Sequence, residues 1–347
     1  MITVVIPTIG RPCLADVLAA LTPAPPDARI IVVDDRPGAA KLLKAPGAEV
    51  LRTGGKGPAA ARNAGWRAAR TPWVAFLDDD VIPQPGWWDA LRADLSDLGD
   101  DVAASQARLH VPLPADRRPT DAERNTAGLA AADWITADIA YRRDALDRVG
   151  GFDERFPRAY REDADLALRV AAAGYRLVKG CRVTRHPVRY DGPWASVLRQ
   201  RGNADDALMR QVHGPAWRSA IGAPGRLREH ALTTAAGLLA VSLYGAILAG
   251  RSHGRRTRRV AALAALTWLG LTTEFAWARL APGPRTTEEI RWMSITSVLI
   301  PPVACAWRLR GELRARRGDL RARRGDLRAR RGDLRAKRGA RRTGEAA

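Results

Sequence analysis

A chain of 347 residues with 46% apolar side chains has room for about two domains and is too apolar to be wholly disordered. Basic side chains number 57 against 37 acidic ones, a formal charge of +20, and arginine supplies all but five of the basic groups. Three widely spaced cysteines, Cys13, Cys181 and Cys305, exclude a disulfide framework and a cysteine-rich zinc module and fit a reducing compartment.

The N-terminus starts directly on a strand-like run, so no cleavable signal is expected. Residues 2–6 (ITVVI), 30–33 (IIVV), 49–51 and 73–77 (WVAFL) are short apolar runs, as strands buried on both faces require. Between them, 12–21, 57–69 and 85–98 read as helices, the second with Pro58 in its first turn. This alternation predicts an α/β fold with a mostly parallel sheet. Ligands of such sheets gather at the carboxyl ends of the strands, where this sequence places Pro7-Thr8, Asp34-Asp35 and Asp78-Asp79-Asp80. Three adjacent carboxylates repel one another. Either a divalent cation relieves that repulsion or the triplet is a solvated turn before the next helix.

The runs TVVIPTIGRP, IVVDD, GPAAARNAGWRAARTPWVAFLDDDVIPQPGWW, WITADIAYRRDALDRVGGFDERF and YREDADLALRVAAAGYRL follow one another in order. Together they resemble family 2 glycosyltransferases of the GT-A fold over about residues 2–190. The resemblance implies a nucleotide-sugar donor, a divalent metal (Mg²⁺ or Mn²⁺) and single displacement with inversion. It implies that Pro7 and Thr8 line the base pocket, that Asp35 bonds the base, that Arg62 and Asn63 lie beside the nucleotide, and that Asp79 lies near the ribose. Asp78 and Asp80 match the outer positions of the family's DxD motif, Asp80 being the more direct metal ligand. Asp163 of the Glu162-Asp163 pair matches the general base. The stretch containing Asp153 and Glu154 matches a segment on the acceptor side. Asp138 stands on that side where many relatives carry Asn, which leaves the donor sugar open. His186 is either an extra metal ligand or a structural polar residue. Arg199 and Arg201 are either a pyrophosphate clamp or part of a solvated basic helix. Glu162, Asp163 and Asp165 would also suit the N-terminus of a helix over 162–174, by capping and dipole complementarity.

Two local signals are set aside. Residues 53–58 (TGGKGP) lack the spacing and the Ser or Thr of a phosphate loop, and Arg-Gly-Asp at 317–319, 324–326 and 331–333 falls out of a seven-residue repeat.

Beyond about residue 225 the composition changes. Residues 231–250 carry no charge for 20 positions, and 260–273 and 292–307 are further uncharged runs, with Trp268, Trp277, Trp292 and Trp307 in or at the ends of these runs. Twenty residues span a bilayer core as a helix. The second run is shorter and reaches 281 only by including Glu274 and Arg279. The third contains Pro301-Pro302, expected to break or kink a helix. A catalytic part facing cytosolic nucleotide sugars would put Arg251, Arg255, Arg256, Arg258 and Arg259 outside after one crossing, against the positive-inside tendency. Residues 311–347 carry net +9 in repeats of GDLRARR, expected to be disordered or partly helical and drawn to anionic lipid headgroups. They hold no aromatic residue for base stacking, so nucleic acid is not an expected partner. The expected organisation is a GT-A domain over 1–225, an apolar helical membrane-associated region over 226–310 and a basic tail over 311–347. The expected acceptor is a hydroxyl on a lipid-linked or cell-envelope glycan; a polyprenyl phosphate acceptor, or nucleotide or glycan binding without catalysis, are the alternatives.

Overall fold

The computed structural model describes residues 1–39, 41–251 and 254–344, with side chains described through Arg317. The chain begins β1 (Ile2–Thr8), α1 (Leu14–Ala20), β2 (Ala28–Asp34), β3 (Glu49–Arg52), α2 (Pro58–Ala68), β4 (Trp73–Leu77), β5 (Ile82–Pro83) and α3 (Trp87–Ser96). It continues β6 (Val102–His110), α4 (Asp121–Ala127), β7 (Asp138–Arg142), α5 (Arg143–Val149), α6 (Glu162–Ala172) and β8 (Arg176–Arg185). Helices α7 (Ala195–Leu198), α8 (Asn203–His213) and α9 (Trp217–Ala220) lead into α10 (Leu227–Leu248), α11 (Arg255–Leu280) and α12 (Thr287–Gly344).

The eight strands form one sheet in the order β3-β2-β1-β4-β7-β6-β8-β5. Pairs β1–β2, β1–β4, β2–β3 and β6–β8 are parallel, whereas β7 and β5 run against their neighbours. The apolar runs of β1, β2 and β4 bury side chains on both faces, as their lack of alternation requires. On one face Val4, Ile6 and Val32 pack with α1 and α3; on the other Val5, Val33 and Phe76 pack with α2, α5 and α6. Gly65 brings α2 close to the sheet: a Cβ there would stand 2.3 Å from a Val5 methyl.

Three helices among the described residues are long and apolar enough to cross a membrane: Leu227–Leu248, Arg255–Leu280 and Thr287–Arg317. Most of their surface faces outward, with Leu238, Val241, Leu263 and Leu266 exposed. The second runs past the C-terminal end of its uncharged run, where Glu274 and Arg279 find partners. Glu274 pairs with Arg226, and buried Arg279 grips Asp121 at 2.9 Å and the hydroxyls of Thr296 and Ser297. The break expected at Pro301-Pro302 is corrected: α12 runs through both prolines. Each removes one ladder donor, and packing of α12 against α8, α10 and α11 holds the helix there. The tail continues this helix as backbone through Gly344. Gly311 lets α12 lie on α8, since a Cβ there would meet the Ala204 carbonyl oxygen.

Candidate active site

The carboxyl ends of β1, β2, β4 and β8 meet the N-terminus of α6 around a cleft of about 390 Å³. Pro7, Thr8, Asp35, Arg62, Asp78, Asp79, Asp80, Glu162, Asp163 and His186 line it, so ten of the residues singled out in the sequence converge on one place.

Each carboxylate of the triplet has its own cation. Asp79 is buried, accepting from the Thr8 hydroxyl at 2.5 Å and from Arg11 at 2.8 Å. Asp80 faces Arg189 at 2.8 Å and Arg11 at 3.3 Å. Asp78 accepts from Arg62 at 2.7 Å. The same Arg62, 2% exposed, donates to Glu162 at 2.8 Å and so ties the end of β4 to the start of α6. Burial pushes the Asp78 carboxyl upward, Arg62 opposes it, and Asp80 adds to it.

Helix α6 begins on strained backbone. Arg161 sits at φ 77°, in the left-handed region that a non-glycine residue adopts at a cost of about 1–3 kcal/mol. Its side chain holds that conformation through Asp206 at 3.0 Å and the face of Trp217. The turn sends Glu162 inward to Arg62 and leaves Asp163 on the cleft wall. Burial pushes Glu162 up to about 8, with Asp163 adding to it and Arg62 opposing. One Glu162 oxygen, Oε2, is buried without a partner. Burial also raises Asp163, against the pull of the Ala164 N–H at 2.7 Å and of Arg62 and Arg161. A carboxylate raised towards neutrality is a better proton acceptor.

No three His, Cys, Asp or Glu side chains are gathered around one point among the described residues. The donor set nevertheless fits Mg²⁺ or Mn²⁺, which take one or two carboxylates and complete their shell with phosphate oxygens and water. Asp80 and Asp78 supply hard oxygens already surrounded by guanidinium groups, which shows that the spot attracts positive charge. His186 Nδ1 lies 3.1 Å from the Pro187 carbonyl oxygen. That oxygen only accepts, so Nδ1 is the donor in this contact.

Other sequence candidates lie elsewhere. Asn63 is 1% exposed and stitches α2 to the following loops, donating to the Phe152 carbonyl and Glu154 and accepting from Trp66 and the Phe152 N–H. Asp138 is an internal hub at the start of β7, held by Arg182 at 2.9 Å, Trp87 at 2.7 Å and the Thr184 hydroxyl. Asp153 pairs with Arg155, and Glu154 with Asn63 and Arg67. These four do not line the cleft. Asp35 does, but its oxygens already accept from the Thr53 hydroxyl and the N–H groups of Gly55, Lys56 and Gly57. The loop read as an imperfect phosphate cradle thus wraps an internal carboxylate. Arg199 and Arg201 line a separate cavity. Arg11 and Arg189, which hold the triplet, were not legible in the sequence: single arginines among so many carry no signal, apart from their places just beyond β1 and His186.

A carboxyl-edge cleft on a mixed, mostly parallel sheet, with an acidic triplet facing a carboxylate at a helix start, defines a GT-A nucleotide-diphospho-sugar transferase fold. A solved mannosyltransferase from Pyrobaculum calidifontis, in complex with GDP-Man and Mn²⁺, shares this fold with a TM-score of 0.51 and 19% identity, over 89% of this chain and 86% of that one. Residues 3–164 match the model of glycosyl transferase family 2. Proteins named pre-mycofactocin glycosyltransferase in two strains of Mycobacterium tuberculosis are 35% identical over 199 residues. The match covers 51% of this chain and 40% of those relatives.

Proposed function

We propose that the chain moves a sugar from a nucleoside-diphosphate donor to an acceptor hydroxyl with inversion. The observation that carries this reading is the single cleft in which Asp78–Asp80 and Asp163 face each other across Arg62. Asp163 takes the acceptor proton as the acceptor oxygen bonds to the anomeric carbon. The bond from that carbon to the diphosphate oxygen breaks, and the nucleoside diphosphate leaves. Asp80, with Asp78, would hold Mg²⁺ or Mn²⁺, whose charge would stabilise the departing diphosphate. Pro7 and Thr8 pack against the base, and Asp79, fixed by Thr8 and Arg11, meets the ribose. The catalytic unit faces the cytoplasm, where nucleotide sugars are made, and 1–225, 226–310 and 311–347 act as catalytic unit, membrane-associated helices and tail. The outward apolar faces of α10 and α11 support membrane association.

The test is a panel of nucleotide sugars with Mn²⁺ or Mg²⁺, read by release of nucleoside diphosphate and by transfer to lipid-linked glycans and to pre-mycofactocin, the acceptor class in the relatives' name. Asp163→Asn should keep nucleotide affinity and slow transfer by about 10²–10⁴-fold. Equal losses of affinity and turnover would make Asp163 a donor ligand or a structural group.

A further inference from the structure

A second cavity, of about 750 Å³, lies between the sheet domain and the C-terminal helices. Seven arginines and two aspartates line it. Five of the arginines are committed. Arg158 pairs with Asp205, and Arg161 and Arg218 share Asp206. Arg279 holds Asp121, and Arg226 holds Glu274. Among the described residues Arg199 and Arg201 have no carboxylate partner, and both are exposed to the cavity and solvent. Two other wall groups are orphaned: Ser196 Oγ and Arg226 Nε are buried without a hydrogen-bond partner. Buried polar groups are normally satisfied, so these await an acceptor the protein does not supply. Part of the wall is apolar, with Phe275 of α11, Ile300 of α12 and Leu227 of α10. Leu129 and Ala159 line this cavity and the cleft alike, so the two are neighbours.

We propose that this cavity is a second anion site, which holds a phosphate group of the acceptor through Arg199 and Arg201. Arginine forks match phosphate oxygens, and a surplus of guanidinium groups favours a multiply charged anion over a carboxylate. A phosphate seated here lets the acceptor hydroxyl reach Asp163 past Leu129 and Ala159, while a lipid chain, if the phosphate carries one, leaves along the apolar wall. The acceptor role rests on the transferase reading; the phosphate site itself does not.

The full-length protein in detergent micelles is titrated with farnesyl phosphate, farnesol and inorganic phosphate, alongside the double variant Arg199→Ala/Arg201→Ala. Both side chains are exposed, so the variant keeps its unfolding midpoint. Farnesyl phosphate should bind the wild type and lose about 100-fold in affinity in the variant, about tenfold for each charged hydrogen-bonding partner removed. Mn²⁺-dependent binding of GDP or UDP should be the same in both. A farnesyl phosphate affinity at least tenfold above that of inorganic phosphate assigns the site to a lipid phosphate; equal affinities assign it to a soluble one. Unchanged farnesyl phosphate affinity in the variant, farnesol binding as tightly as its phosphate, or a parallel loss of nucleotide affinity would each overturn the proposal. If no sugar nucleotide supports transfer while the arginine-dependent binding persists, the transferase reading alone fails.

Discussion

Glu162 gives the sheet domain a pH-dependent stability with a definite sign. Its carboxyl is buried, one oxygen is unpartnered, and its pKa stands near 8 in the fold against 4.5 in the unfolded chain. Between those values the folded state keeps a proton that the unfolded chain has released. The associated stability is fully present below about pH 4.5 and is lost as the pH rises towards 8. Full linkage amounts to about 1.4 kcal/mol per pH unit, or about 4 kcal/mol between pH 5 and 8. For a domain of this size that corresponds to a fall of roughly 10 °C in unfolding temperature. Replacing Glu162 with Gln keeps an oxygen for Arg62 and removes the titration. Thermal unfolding from pH 5 to 9, followed by intrinsic tryptophan fluorescence, should show the decline in wild type and a much flatter profile in Glu162→Gln, which becomes the more stable protein at pH 8. Identical profiles in the two proteins would refute the reasoning, and would show that Arg62 holds Glu162 ionised throughout.

Asp80→Asn should abolish metal-dependent nucleotide binding while leaving the unfolding midpoint in place, read by titration of GDP or UDP with and without chelator; full binding in chelator would remove the metal role. Asn63→Ala should destabilise the domain by about 2–4 kcal/mol, because it strands the buried Trp66 and Phe152 N–H groups, and denaturant unfolding measures it. Deleting residues 318–347 should leave the protein in the membrane fraction after a high-salt wash, since headgroup attraction is screened over about 8 Å at physiological ionic strength and apolar insertion is not; release by salt would make the basic tail the anchor. Truncation after residue 225 should bind nucleotide yet aggregate, because it uncovers the α8 surface on which α12 rests; a monodisperse fragment would show that this contact is dispensable.

Three of the four strands legible in the sequence are buried on both faces; the fourth, β3, is half-exposed. The runs at β1, β2 and β4 carry no polar interruption, and the matching strands follow them closely. Strand β6 and the first part of β8 escaped notice, because VAASQARLH is built from small and polar residues and RLVKGCRVTR alternates with charge. The cleft was legible through carboxylates crowded where folding alone gives no reason for them. What the motifs could not separate was facing a ligand from facing the interior. Asn63 and Asp138 belong to the same runs as cleft residues, but their partners, Phe152 and Arg182, lie 89 and 44 residues away. Local sequence carries no record of such pairings. The reach of α12 through two prolines was hidden for the same reason, since helices distant in sequence supply its support.

The basic cavity has walls drawn from residues 121–300, whereas the lining of the acidic cleft is complete at Arg189. During synthesis the two therefore become available in sequence. A chain emerging from the ribosome can close its sheet and form its acidic cleft while Phe275 and Ile300 are still untranslated. The flank of α8 stays bare until the last apolar helix arrives to cover it. The nascent protein thus passes through a period in which its acidic cleft is formed but a sticky surface is exposed, and arrival of α12 both ends that exposure and finishes the second cavity.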